Sequence, residues 1–132
     1  MQPTRRLKTK SLRSNSRTLA TVCMLVFALL AWAGGRGFRT QHLLDEHFAK
    51  HGGEFGGISE SEYLRMAQSL RDAPVGGDVL EIVRPDDGVV SRFDKRSGAF
   101  LAFDRDGTIR TFFKPNDGER YFRRQATRPP SP

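Results

Sequence analysis

The chain of 132 residues has one cysteine, Cys23, and one tryptophan, Trp32, and both fall inside the same uncharged run near the N-terminus. Beyond residue 33 there is no cysteine, which excludes a disulfide framework and a thiolate zinc site in the remaining chain. Acid is absent from residues 1–18, where Arg5, Arg6, Lys8, Lys10, Arg13 and Arg17 stand. Charge of either sign is absent from Thr18 to Gly35. No repeat recurs at a solenoid or propeller period, which excludes a repeat array.

The two charge gaps read together as an export signal. A basic segment is followed by the 15-residue apolar run Leu19 to Ala33 and an Ala31-Trp32-Ala33 exit, the three parts of a secretory signal. The run falls short of the ~20 residues that span a bilayer, so cleavage is expected, with retention as an uncleaved anchor the alternative. In both cases the basic flank stays inside and the domain lies outside the cytoplasm, periplasmic or secreted. Arg5-Arg6 is a poor twin-arginine match because Leu7-Lys8-Thr9 follows, and Cys23 lies too early in the run for a lipoprotein site.

Removing residues 1–33 changes the charge argument. The chain carries 22 basic and 15 acidic residues, net +7. Six of the bases and none of the acids fall in residues 1–33, which leaves 16 against 15, net +1. Whole-domain affinity for nucleic acid therefore has no basis in the pI, and any basic site must be local. About 99 residues support one small core. We expect a linker over 34–40, an α+β domain over 41–122 and a disordered basic, proline-rich tail over 123–132.

Hydrophobic period places the elements. Leu44, Phe48 and His51 repeat at helical spacing over Gln41 to His51, and Gly52-Gly53 stops that helix. Ser59 with Glu62 forms a capping box opening a second helix, whose stripe is Tyr63, Met66, Ala67 and Leu70 and which Pro74 ends. Short β-type runs over 79–84, 89–93, 99–103 and 108–114 are separated by turns closing on Gly88, Gly98 and Gly107. The expected fold is two N-terminal helices packed on one face of a four-stranded antiparallel β-meander.

All three histidines, His42, His47 and His51, lie within ten residues. His47 and His51 share a helix face with Lys50 on the neighbouring edge. Imidazole titrates near neutral pH and suits general acid or base work; the plainer reading is exposed surface histidines. A zinc site at i and i+4 is disfavoured because Lys50 would repel a cation and Glu54 lies past a double glycine. The second cluster is the run from Thr108 to Pro115. Strand alternation puts Arg110 and Lys114 on one face and Thr111 and Phe113 on the other. Those residues can hold a phosphate and stack a base, or be an ordinary half-buried strand with two solvated cations. Aiming Arg110 and Thr111 at one point needs a bulge or a strand edge. Taken together, a His pair with Lys, Arg and Thr and no paired carboxylates is the equipment of a metal-free ribonuclease. Such an enzyme activates the RNA 2′-hydroxyl and leaves a 2′,3′-cyclic phosphate and a free 5′-hydroxyl.

The segments His47–Gly56, Glu62-Tyr63 and Asp106–Pro115 resemble small toxin nucleases of the barnase–EndoU–colicin–RelE superfamily, particularly the colicin D-like branch, over roughly residues 41–122. The resemblance implies a metal-independent endoribonuclease without cofactor, acting on RNA, with tRNA a substrate of several members. It implies Lys50 and His51 as the catalytic pair, His47 one turn earlier, Thr111 as the hydroxyl residue, Arg110 and Lys114 on the scissile phosphate, and Phe113 as the stacking ring. This chain has Phe113 where those domains carry tryptophan. A small acidic immunity protein is the expected partner of a toxin, by charge complementarity; contact with a membrane is expected only through an uncleaved N-terminal segment. The alternative is an envelope or secreted binding module that keeps the fold without activity.

Overall fold

A computed structural model describes residues 36–129; the export segment expected over 1–33 lies outside the described residues. The chain runs α1 (Gln41–His51), a 3₁₀ turn (Gly52–Phe55), α2 (Glu60–Asp72), β1 (Val79–Val83), β2 (Val90–Asp94), β3 (Ala99–Phe103), β4 (Ile109–Phe113), α3 (Glu119–Arg124) and a second 3₁₀ turn (Gln125–Thr127). Among the described residues the fold is α+β: three α-helices and one antiparallel sheet of order β1-β2-β3-β4.

Local chemistry explains the element ends. Thr40 caps α1, its hydroxyl accepting from the Leu43 N–H at 3.2 Å. Ser59 and Glu62 form the reciprocal capping box of α2. The last carbonyls of α2, orphaned as at any helix end, are collected by Arg92 of β2. Its guanidinium donates to Leu70 at 3.0 Å and Ala73 at 2.7 Å, and also to Arg71. Each hairpin turn reaches the left-handed region at its glycine (Gly88, Gly98, Gly107).

Both faces of the sheet are covered. On one, Leu44, Tyr63, Ala67 and Leu70 of α1 and α2 pack on Ala99, Leu101, Phe103, Ile109 and Phe112. On the other, Phe122 of α3 closes over Val89, Phe93, Phe100 and Ala102. All five residues of β3 are buried in consequence. This corrects the expectation of helices on one face only and of a tail beginning at 123. Arg123 and Arg124 belong to α3, and Gln125 beyond them is buried, because Phe122 and Tyr121 have an apolar surface to cover. Residues 36–40, expected as a linker, are held as well. Phe38 bridges Ile109 in parallel at the open side of β4, and the Arg36 carbonyl accepts from the buried guanidinium of Arg71. Gly34–Pro132 forms one compact unit, and among the described residues it carries both core clusters.

Candidate active site

The C-terminal end of α1 lies against β4, the sheet's edge strand. Leu44 is the buried anchor of α1, with Phe48 on Tyr63 at 5.7 Å between ring centroids. The adjoining face carries His47 and His51, with ring centroids 6.1 Å apart. Phe38 stacks on His47 at 4.9 Å, and Phe113 of β4 lies against His51 at 5.1 Å. His42, one turn earlier, is exposed beside Glu46.

The glycine pair does more than stop the helix. A side chain at Gly52 would put its Cβ 2.5 Å from the Phe48 ring, so only glycine admits this close approach. The chain then tightens into the 3₁₀ turn Gly52–Phe55, in which residues i and i+3 eclipse. Glu54 is thereby brought under His51, with Oε1 2.9 Å from Nδ1. Its Oε2 accepts the backbone N–H of Lys114 at 2.7 Å, so one carboxylate ties the helix end to the end of β4. Phe55, next in the turn, stacks on Phe112 at 4.5 Å. Tyr63 is fully buried; its hydroxyl donates to the Phe112 carbonyl, and burial with the Glu54 charge pushes its pKa up.

Glu54 settles the chemistry available to His51. A carboxylate only accepts, so Nδ1 carries a proton and, in the neutral ring, Nε2 keeps its lone pair. The His51 side chain is 15% exposed. His47 differs: partial burial above all, then the charges of His51 and Lys50, lower its pKa, while Glu46 opposes them. Lys50 is exposed and has no ion-pair partner among the described residues.

Strand β4 departs from the expected alternation. Ala102 pairs Thr111 and Phe103 pairs Ile109, so Arg110 is an extra residue in a β-bulge. The bulge lets Arg110 and Thr111 line one cavity on the α3 face, where a regular strand would part them. Arg110 Nε also reaches Asp104 Oδ1 at 3.0 Å. Lys114 is not with Arg110, as alternation implied: its ammonium lies 5.1 Å from the Phe55 ring, on the side of the first two helices. Phe113 points the other way, into an aromatic trio with Phe100 at 5.5 Å and Tyr121 at 5.2 Å.

His47, His51, Phe113 and the Lys114 backbone therefore meet at one edge of the sheet. Arg110 with Thr111 lines a cavity beyond Phe113, the Lys114 ammonium lies over Phe55, and exposed Lys50 acts on His47 through its charge. Glu54 is the residue the sequence reading set aside. Its spacing of three from His51 was the available signal, and the double glycine masked it. Among the described residues, no three His, Cys, Asp or Glu side chains are grouped to hold a metal ion. No family model matches the chain, and no curated protein matches it.

Proposed function

We propose that this domain is an exported, metal-independent endoribonuclease of toxin type, with the fold of the barnase–EndoU–colicin–RelE nucleases. The observation that carries the reading is the His51–Glu54 pair at 2.9 Å, beside a second imidazole and the partly buried Phe113 ring. An imidazole oriented by a carboxylate through Nδ1 is a general base at Nε2. On this reading Nε2 takes the proton of the RNA 2′-hydroxyl, and the 2′-oxygen attacks the adjacent phosphorus. The 5′-oxygen leaves with a proton supplied by His47, whose lowered pKa makes its protonated form a strong donor. Phe113 stacks a base, and the Arg110 side carries the RNA backbone. Lys50 contributes field rather than contact. Residues 1–33 deliver the domain, and an acidic immunity protein is the partner a toxin of this kind requires.

The test uses residues 34–132 with total tRNA in EDTA, beside His51→Ala and His47→Ala. Wild type is expected to leave 2′,3′-cyclic phosphate ends, and His51→Ala to lose about 10²–10⁴ in rate, the worth of a positioned base. No cleavage by wild type, or equal cleavage by all three, refutes the nuclease reading and leaves the binding module.

A further inference from the structure

On the α3 face, a cavity of about 140 Å³ lies between the sheet and the C-terminal helical turns. Three guanidinium groups line it, those of Arg84, Arg110 and Arg128, with the hydroxyl residues Ser91 and Thr111. Arg84 is 7% exposed, and Asp87 holds it through two hydrogen bonds, from Nε at 2.8 Å and from Nη2. Its Nη1 has no hydrogen-bond partner among the described residues. Ser91 is 5% exposed, and its hydroxyl likewise makes no hydrogen bond among the described residues. Among the described residues, no side-chain polar atom sealed from solvent lacks a partner, so the Ser91 hydroxyl, whose residue lines the cavity, opens into it. Asp87 and Asp104 are engaged with Arg84 and Arg110, and Asp86 also acts on Arg84 through its charge, while Arg128 has no ion-pair partner among the described residues.

A rigid guanidinium edge, two further arginines and free hydroxyls are the donors that recognise a tetrahedral oxyanion. The space is large enough for several waters, and so for a phosphate group. The Phe113 ring separates it from the histidines: His51 is 5.1 Å away on one side, and Tyr121, which lines the cavity, is 5.2 Å away on the other.

We propose that this cavity binds a phosphate group and is a site distinct from the His51 centre. That the ligand belongs to RNA rests on the endoribonuclease reading; there the occupant is a backbone phosphate flanking the scissile one. Inorganic phosphate offers the same chemistry and serves as the probe.

The experiment is an amide NMR titration of residues 34–132 with inorganic phosphate at low ionic strength, chloride serving as control. Saturable shifts are expected at Ser91 and Thr111, with about tenfold weaker binding in Arg128→Gln and in Ser91→Ala. Arg128 is exposed, so its substitution leaves the core alone. Absence of saturation in wild type, or equal binding by both variants, overturns the proposal. A second arm compares short RNAs with and without one flanking phosphate. A KM penalty of Arg128→Gln confined to the longer RNA assigns the site to the RNA backbone. Equal KM penalties, with phosphate still saturating, assign it to free phosphate. His51→Ala is expected to stop cleavage while leaving the phosphate titration in place, so failure of the nuclease reading and failure of this site are told apart.

Discussion

Replacing Glu54 with glutamine keeps the shape of the side chain and changes only its hydrogen-bonding sense. The carboxylate accepts two bonds, from His51 Nδ1–H and from the Lys114 N–H. An amide has one oxygen and one NH₂ group, so it satisfies one of these donors and presents a donor to the other. If the amide oxygen stays on the Lys114 backbone, its NH₂ faces Nδ1. Nδ1 must then accept, the proton moves to Nε2, and the base is lost. The wrong tautomer of a carboxylate-oriented imidazole costs about 10⁴ in kcat in the best-studied hydrolases. The structural cost is smaller. A hydrogen bond to a charged group contributes about 1.5–3 kcal/mol, and Glu54 is 34% exposed, so solvent screening reduces the loss to about 1 kcal/mol. For a domain of this size that lowers Tm by about 4–8 °C. The expected outcome is a fall of two to four decades in tRNA cleavage in EDTA, beside a small thermal shift. Nitrogen NMR of the His51 ring is expected to show the proton moving from Nδ1 to Nε2. Cleavage within a few-fold of wild type, or a tautomer unchanged by Glu54→Gln, would refute the role assigned to Glu54.

Two further perturbations test the frame around that pair. Gly52→Ala places a methyl 2.5 Å from the Phe48 ring; overpacking of about 1–3 kcal/mol outweighs the gain of up to about 1 kcal/mol in helix propensity. A Tm lowered by about 5–10 °C is expected in a thermal melt, with loss of cleavage as Glu54 shifts; a Tm at or above wild type refutes the close approach. His47 has a folded pKa below its ordinary 6.5, through burial first. The unfolded chain therefore takes up this proton first, and stability falls as pH drops from 6.5 through the folded value, below which the penalty is constant. His47→Gln is expected to flatten that slope in melts run from about pH 5 to 8; an unchanged slope refutes the assignment.

Much of the fold is legible along the chain because its causes are local. The capping box at Ser59 and Glu62, the glycine after His51 and the turn glycines each act within a few residues, and the structure has a helix or hairpin boundary at each. Residues Ala99–Phe103 hinted at more, since an unbroken apolar run is the mark of a strand buried on both faces. Its second cover, α3, is a six-residue helix with three arginines, too short and too polar to show a period. The parallel bridge of Phe38 to Ile109 was equally hidden, because nothing in residues 34–40 states what they lie against.

The sequence by itself determined the residue types, the helix bearing His47 and His51, and the strand bearing Thr111 and Phe113. It also determined that the domain after residue 33 is nearly neutral, so that its cations count only where they cluster. Only the tertiary structure decided which of those groups meet. Glu54 is joined to Lys114 across 60 residues, and the bulge at Arg110 depends on how β4 pairs with β3. A side chain's period is fixed by its own backbone. Its partner is chosen by chain segments far away in sequence, and pairing a polar group there is what burial demands.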